Sequence, residues 1–159
     1  MIRKMEVKDV DRVYEIENSS FFEPWSKKHL LKELTSNTLL DHYVYELDGE
    51  VVGFYIASRV LDLVEIFTIA VDENYRRRGI GEELLSHLID LGKKNKASEI
   101  WLEVSVKNTN AINLYEKFGF KKDGIRKNYY QKLGVDAYNM KRKLYEWFLY
   151  NGNWNKLWW

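Results

Sequence analysis

Apolar positions along this chain recur at two periods, and the switching between them sets an order of elements. Ile2-Arg3-Lys4-Met5 reads as a short strand. Val10, Val13, Tyr14 and Glu17 keep helical spacing, so a helix is expected over Asp9 to Glu17. Pro24-Trp25-Ser26 interrupts it, and Ser26 is a candidate N-cap for a second helix carrying Leu30, Leu31 and Leu34. His42 to Leu47 has strand composition, Asp48-Gly49 is a hairpin signal, and Val51 to Ser58 is the return strand. Leu61 to Val71 is a third long apolar strand.

The second half repeats the alternation. Ile80, Leu84, Leu85, Leu88 and Leu91 form an apolar stripe on a helix over Gly79 to Gly92. From Glu99 to Val106 the period is two: Ile100, Leu102, Val104 and Val106 share one face, and Trp101, Glu103 and Ser105 the other. A further helix from about Asn110 to Phe118 aligns Ala111, Leu114, Tyr115 and Phe118, and Gly119 is its αL cap. Phe120 to Tyr130 and Val135 to Leu144 read as a last hairpin around Leu133-Gly134. The order β-α-α-β-β-β-α-β-α-β-β describes an α/β chain with a mixed sheet. With no internal repeat or low-complexity linker, residues 1–144 read as one domain, followed by a tail, 145–159, that is not a separate domain.

One junction carries chemistry. The apolar run Ile66-Phe67-Thr68-Ile69-Ala70-Val71 stops at Asp72-Glu73-Asn74-Tyr75, and Arg76-Arg77-Arg78-Gly79-Ile80-Gly81 leads into a helix. Unpaired N–H groups and the helix dipole at such a start favour an anion, and glycines let backbone approach it. The reading is a phosphate-bearing ligand. Spacing removes the usual nucleotide loops. A Walker A loop needs Lys-Ser or Lys-Thr after its last glycine, and here Glu82 follows Gly81. The dinucleotide fingerprint needs glycine where the chain has Leu84.

Composition narrows the classes. The 159 residues contain 25 Lys and Arg against 24 Asp and Glu, a net charge of +1, which is not the electrostatic footprint of a nucleic-acid binder. No apolar run reaches membrane-spanning length, and the N-terminus lacks an apolar signal core, so a cytoplasmic protein is expected. The chain has no cysteine, and His29, His42 and His87 lack ligand spacing, so no metal is expected.

Arg76-x-x-Gly79-x-Gly81 after Ile69-Ala70-Val71 resembles the pyrophosphate-binding signature of the GNAT superfamily of acetyltransferases. A second motif, Asn108-x-x-Ala111-x-x-Leu114-Tyr115-x-x-x-Gly119-Phe120, is similar to the downstream half of that family's core, and the resemblance extends to about residue 143. Four details resemble the RimI-type ribosomal-protein-alanine N-acetyltransferases and related N-terminal acetyltransferases. They are Phe22-x-Pro24-Trp25-Ser26, Ile69-Ala70-Val71 with Arg77-Arg78-Gly79-Ile80-Gly81, Trp101-Leu102-Glu103-Val104, and Arg126-x-Asn128-Tyr129-Tyr130.

The resemblance implies a GNAT fold: a mixed, mostly antiparallel seven-stranded sheet splayed between strands 4 and 5, flanked by four helices. It also implies acetyl-CoA as co-substrate. Cofactor binding would fall to Ile69, Ala70 and Val71 along the pantetheine arm, to Arg76, Arg77, Arg78, Gly79, Ile80, Gly81 and Glu82 at the pyrophosphate, and to Asn108 and Tyr115 on the other flank. The Val71 N–H is the candidate oxyanion donor. Glu103 is the candidate base, acting through a water; without the resemblance it is equally an ordinary solvent-facing strand glutamate. Tyr115 is the candidate acid; its position on an apolar stripe also suits simple core packing. Phe22, Trp25, Tyr129 and Tyr130 are candidate walls of a peptide site, or equally hairpin and loop packing.

The implied activity is acetyl transfer to the N-terminal α-amine of a protein, ribosomal or broader in range. Alternatives are a GNAT enzyme acting on a lysine side chain, polyamine or other small amine, and a non-catalytic acyl-CoA-binding module. An RNA-binding role for the Arg76–Arg78 cluster is disfavoured by the near-zero net charge. The family motifs do not explain the tail, which holds Trp147, Trp154, Trp158 and Trp159 of the six tryptophans around an Asn151-Gly152-Asn153 turn signal. It reads as a segment folding back on the domain or as a surface for self-association.

Overall fold

Leu40–Leu47 and Glu50–Val60 need a two-residue reversal between them, and the chain supplies Asp48-Gly49 with φ of 51° and 80°. Positive φ at both positions gives a turn whose twist matches that of the flanking strands. In the computed structural model the elements run β1 (Ile2–Lys4), α1 (Val10–Ser20), α2 (Lys27–Ser36), β2 (Leu40–Leu47), β3 (Glu50–Val60), β4 (Leu63–Val71), α3 (Ile80–Lys94), β5 (Glu99–Ser105), α4 (Thr109–Lys117), β6 (Lys121–Tyr130), β7 (Val135–Lys143), β8 (Tyr145–Tyr150) and β9 (Asn153–Trp158). The structure describes the backbone of residues 1–150 and 153–158 and the side chains of residues 1–144. Strands β1 to β7 form one seven-stranded sheet in the order β1-β2-β3-β4-β5-β7-β6, mostly antiparallel with a parallel β4–β5 pair.

The chain divides into two compact units. The first comprises Met1–Arg59 and Ile66–Leu88. Its core is Val10, Val13, Ile16 and Leu30 from α1 and α2 against Val44, Val51, Phe54 and Ile56 of the strands. Strand β3 is buried from Val51 to Ser58 without alternation. A strand covered on both faces loses the polar phase of its pattern. Gly53 is why α3 can come so close: a Cβ there would lie 3.1 Å from Leu84, 3.2 Å from the Ala70 carbonyl and 3.4 Å from Ile80.

The second unit comprises Val60–Glu65 and Ile89–Trp159. Strand β7 lies between β5 and β6 and pairs antiparallel with both. Met140 of β7 stands opposite Leu102 of β5, and these two are buried together with Ile100 of β5 and Phe120 before β6. Gly119 ends α4 with φ of 86°, the left-handed cap expected from sequence.

Several boundaries differ from expectation. The third long strand begins at Leu63, because Leu61 takes φ of 55° and is 99% exposed, a turn residue despite its apolar side chain. Leu31 is exposed and only Leu30 of the α2 stripe is buried, since a short surface helix buries a narrow seam. On α4, Ile112 and Tyr115 point inward, while Ala111, Leu114 and Phe118 are half-buried. The tail contains a hairpin: β8 and β9 pair antiparallel from Tyr145↔Trp158 to Tyr150↔Asn153, as a two-stranded sheet of their own. Residues 151 and 152 of the turn signal, and the tail's aromatic side chains, lie outside the described residues.

Candidate active site

In the first unit, the end of β4 is held before the arginine run begins. The Asp72 N–H donates to the Val52 carbonyl at 2.8 Å. Its carboxylate accepts from Asn74 N–H at 2.8 Å and pairs with Arg12, whose Nε donates to the Val51 carbonyl at 3.0 Å. Burial works against the charged form of Asp72, but the Asn74 N–H and the Arg12 guanidinium outweigh it and hold the carboxyl below its ordinary value. The strand end is thereby tied to β3 and α1.

The turn that follows has φ of 66° at Arg77 and 81° at Gly79. Alternating signs of φ aim successive N–H groups into a common concavity, an arrangement suited to anions. The first helical bond of α3 runs from Glu83 N–H to the Gly79 carbonyl at 3.0 Å, so the N–H groups of the first turn have no intrahelical acceptor. Backbone thus supplies the anion-directed donors from Gly79 onward. The arginines divide their work. Arg76 Nε donates to the Val71 carbonyl at 3.0 Å and its guanidinium reaches Ser20 Oγ at 3.5 Å, so this side chain clamps the strand end. The Arg78 guanidinium lies 5.1 Å from the centre of the Tyr75 ring.

In the second unit, Glu103 stands on the polar face of β5 with its side chain 18% exposed. Arg126 Nη1 donates to Glu103 Oε1 at 2.8 Å. The same guanidinium lies 5.3 Å from the centre of the Tyr129 ring, and Tyr129 meets Tyr130 edge-on at 5.0 Å. Glu65, in the part of β4 that belongs to this unit, joins the group electrostatically. Burial raises the Glu65 carboxyl, the Glu103 charge raises it further, and Arg126 opposes both. Burial also raises the Tyr129 phenol, again reinforced by Glu103. The result is two carboxylates and one guanidinium beside a pair of tyrosines.

Tyr115 lies on the inward side of α4, 7% exposed, its ring edge-on to Phe120 at 5.7 Å. Burial pushes its phenol well above the ordinary value, with Tyr130 adding to the effect. The hydroxyl therefore keeps its proton throughout the working range, which is the state an acid requires. Asn108 caps α4: its Oδ1 accepts from Ala111 N–H at 3.2 Å, which directs the amide NH₂ away from the helix start.

The aromatic candidates fare differently. Trp25 is half-buried, packed on His29 at 4.4 Å and Phe67 at 6.0 Å between ring centres. Phe22 is 79% exposed. Arg126 and Glu65 were not singled out from sequence as site residues, although Arg126 opens one of the quoted motifs. In β4 the buried Val64 and Ile66 flank the half-buried Glu65, so period-two alternation, which the reading of Leu61 to Val71 as one apolar run passed over, was the available signal. Among the described residues no group of three or more His, Asp or Glu is placed to hold a metal ion.

Comparison with known proteins bears on the whole arrangement. The family model described as acetyltransferase (GNAT) family matches residues 10–120. A relative from Bacillus subtilis (strain 168) is 42% identical over 136 residues, covering 86% of this chain and 90% of its own. The ribosomal protein bS18-alanine N-acetyltransferase of Escherichia coli (strain K12) is 39% identical over 129 residues, covering 81% and 86%. The crystal structure of the ribosomal-protein-S18-alanine N-acetyltransferase from Escherichia coli superposes with a TM-score of 0.83 at 36% identity, covering 90% of this chain and 92% of that one.

Proposed function

We propose, from the premise that the chain belongs to the acetyltransferase (GNAT) family, that it transfers an acetyl group from acetyl-CoA to the N-terminal α-amine of a protein. The substrate class follows from its similarity to the Escherichia coli enzyme, whose name gives ribosomal protein bS18 and alanine. An N-terminal alanine is therefore the first choice of acceptor. Among the described residues no helix is long and apolar enough to cross a membrane; the cytoplasm is the expected place of the reaction, by the similarity to an enzyme named for a ribosomal protein. Residues 1–144 carry the activity, and 145–159 are an appendage to it.

The observation that carries the chemistry is the Glu103 carboxylate beside Arg126 and Tyr129. An α-ammonium has a reference pKa near 8, so a carboxylate acting through water suffices to collect its proton. A lysine ammonium, near 10.4, asks for more help. The freed amine attacks the thioester carbonyl. The Val71 N–H donates to the oxygen on which negative charge develops, a contribution of about 3–4 kcal/mol for such donors. Tyr115 gives its proton to the departing sulfur. The N–H groups from Gly79 to Glu82, helped by Arg77 and Arg78, hold the pyrophosphate, and the Asn108 amide holds the other flank. The residues present fit acetyl-CoA in donor type: backbone N–H groups and cations for its phosphates, and a protonated phenol for its sulfur.

The test is a panel of peptides differing only at the first residue, with α-blocked, lysine-containing peptides as controls. Acetylation of free N-termini, strongest for alanine, is the expected outcome. Acetylation confined to the blocked lysine peptides would overturn the reading.

A further inference from the structure

Glu17 is a buried carboxylate that the chemistry above does not use. It lies on the inward face of α1 and is 2% exposed. Thr68 Oγ1 donates to its Oε2 at 2.7 Å, and the Trp25 backbone N–H donates to its Oε1 at 3.2 Å. Thr68 is itself buried, at 6% exposure, and immediately precedes Ile69-Ala70-Val71. Trp25 lies in the connection between α1 and α2, where its ring packs against Phe67 of β4. One carboxylate therefore links a helix, a strand and a loop, all within the first unit.

Burying a carboxylate is an expensive way to fill space. Burial raises the Glu17 carboxyl, and the bonds from Thr68 and Trp25 pull it partly back. A methionine of similar volume would avoid that desolvation cost. What the carboxylate offers instead is two acceptors aimed at two donors on separate segments. The loop N–H of Trp25 needs such an acceptor, because an orphaned donor beside the core is itself costly.

We propose that Glu17 is a positioning residue for the peptide site: its two oxygens fix the loop carrying Phe22, Pro24 and Trp25 against the strand segment from Thr68 to Val71. This rests on the N-terminal acetyltransferase reading, in which that loop is a wall of the peptide site and Val71 faces the thioester. The distance between the incoming N-terminus and the carbonyl it attacks is then set by one carboxylate. A displacement of about 1 Å in such geometry costs on the order of 10²-fold in rate.

The test compares Glu17→Met, Thr68→Val and Thr68→Ser with the full-length protein, using an alanine-initiated peptide. Peptide KM and kcat, acetyl-CoA Kd by calorimetry, and the exchange rate of the Trp25 amide are read for each. In Glu17→Met, peptide kcat/KM is expected to fall at least about tenfold and the Trp25 amide to exchange faster, while acetyl-CoA Kd stays within about twofold. Thr68→Val should show a smaller loss of the same kind, and Thr68→Ser, which restores the hydroxyl, should resemble the wild type. Unchanged peptide kinetics in Glu17→Met, or a parallel loss of acetyl-CoA affinity, would overturn the proposal. If Glu17→Met does not fold, the Thr68 pair decides: equal kinetics for valine and serine would overturn it. Failure of the wild-type protein to acetylate any peptide α-amine is a separate result and counts against the function, not against the link.

Discussion

Arg126 reaches Glu103 from two strands away. Its strand, β6, is separated from β5 by β7, yet the guanidinium lies 2.8 Å from the carboxylate. The register explains how. Arg126 stands opposite Ala137, and Ala137 opposite Ser105, so the three share a row across the sheet. Residues facing each other across antiparallel strands project to the same side, and Glu103 projects there too, two residues before Ser105. Ala137 offers only a methyl group, which leaves the long side chain a path over β7. Replacing Ala137 by leucine should obstruct that path. The expected outcome is loss of the Arg126–Glu103 contact, read as lower kcat/KM for peptide with acetyl-CoA Kd unchanged.

The role of Glu103 is testable by pH. In Glu103→Gln no carboxylate is available to collect the ammonium proton, so only amine that is already neutral reacts. The rate of the variant should keep rising into alkaline pH as the free α-amine accumulates around its reference value near 8. A pH–rate profile parallel to that of the wild type would remove Glu103 as base.

Tyr115→Phe removes a proton without disturbing the contact with Phe120. Its turnover should fall by about 10²–10⁴-fold, the usual range for loss of a general acid, with little change in acetyl-CoA affinity. Single-turnover kinetics and calorimetry measure the two quantities separately. Equal turnover would assign Tyr115 to the core alone.

Glu17 makes a prediction about stability as well as position. Its carboxyl is raised on folding, so the folded protein holds that proton more tightly than the unfolded chain. The cost of ionising it is present above the raised value and disappears below the ordinary glutamate value. It therefore subtracts from stability at neutral and alkaline pH and is relieved as pH falls. Glu17→Gln has no such charge. The difference in thermal midpoint, variant minus wild type, should be more favourable at about pH 8 than at about pH 5. A constant difference would mean that the carboxylate is not desolvated.

Gly53→Ala tests the close approach of α3. The added methyl would meet Leu84 at 3.1 Å and the Ala70 carbonyl at 3.2 Å, and the carbonyl cannot step aside. The expected cost is about 1–3 kcal/mol by denaturant unfolding, the usual penalty for overpacking. Because α3 begins at the anion-directed turn, acetyl-CoA affinity should weaken in parallel.

Periodicity and punctuation by themselves determined the order of helices and strands from β1 to β7, the Asp48-Gly49 reversal, the Ser26 and Gly119 caps, and the strand-to-helix junction at Arg76–Gly81, but not the β8–β9 hairpin of the tail. These are local matters: spacing, β-branching and φ preference act within a few residues. Spacing also placed Glu103 on a polar face and Tyr115 on an apolar one. Partners were decided only by tertiary structure. That Arg126 meets Glu103 depends on the register of three strands and the smallness of Ala137. Arg76 binds the Val71 carbonyl, which no charge count suggests. Glu17 looked like one more position on a helical stripe and is a buried link between Thr68 and Trp25. The Arg126–Glu103 and Glu17–Thr68 contacts join residues 23 and 51 positions apart, and such pairings are set by how elements pack, which no local pattern records.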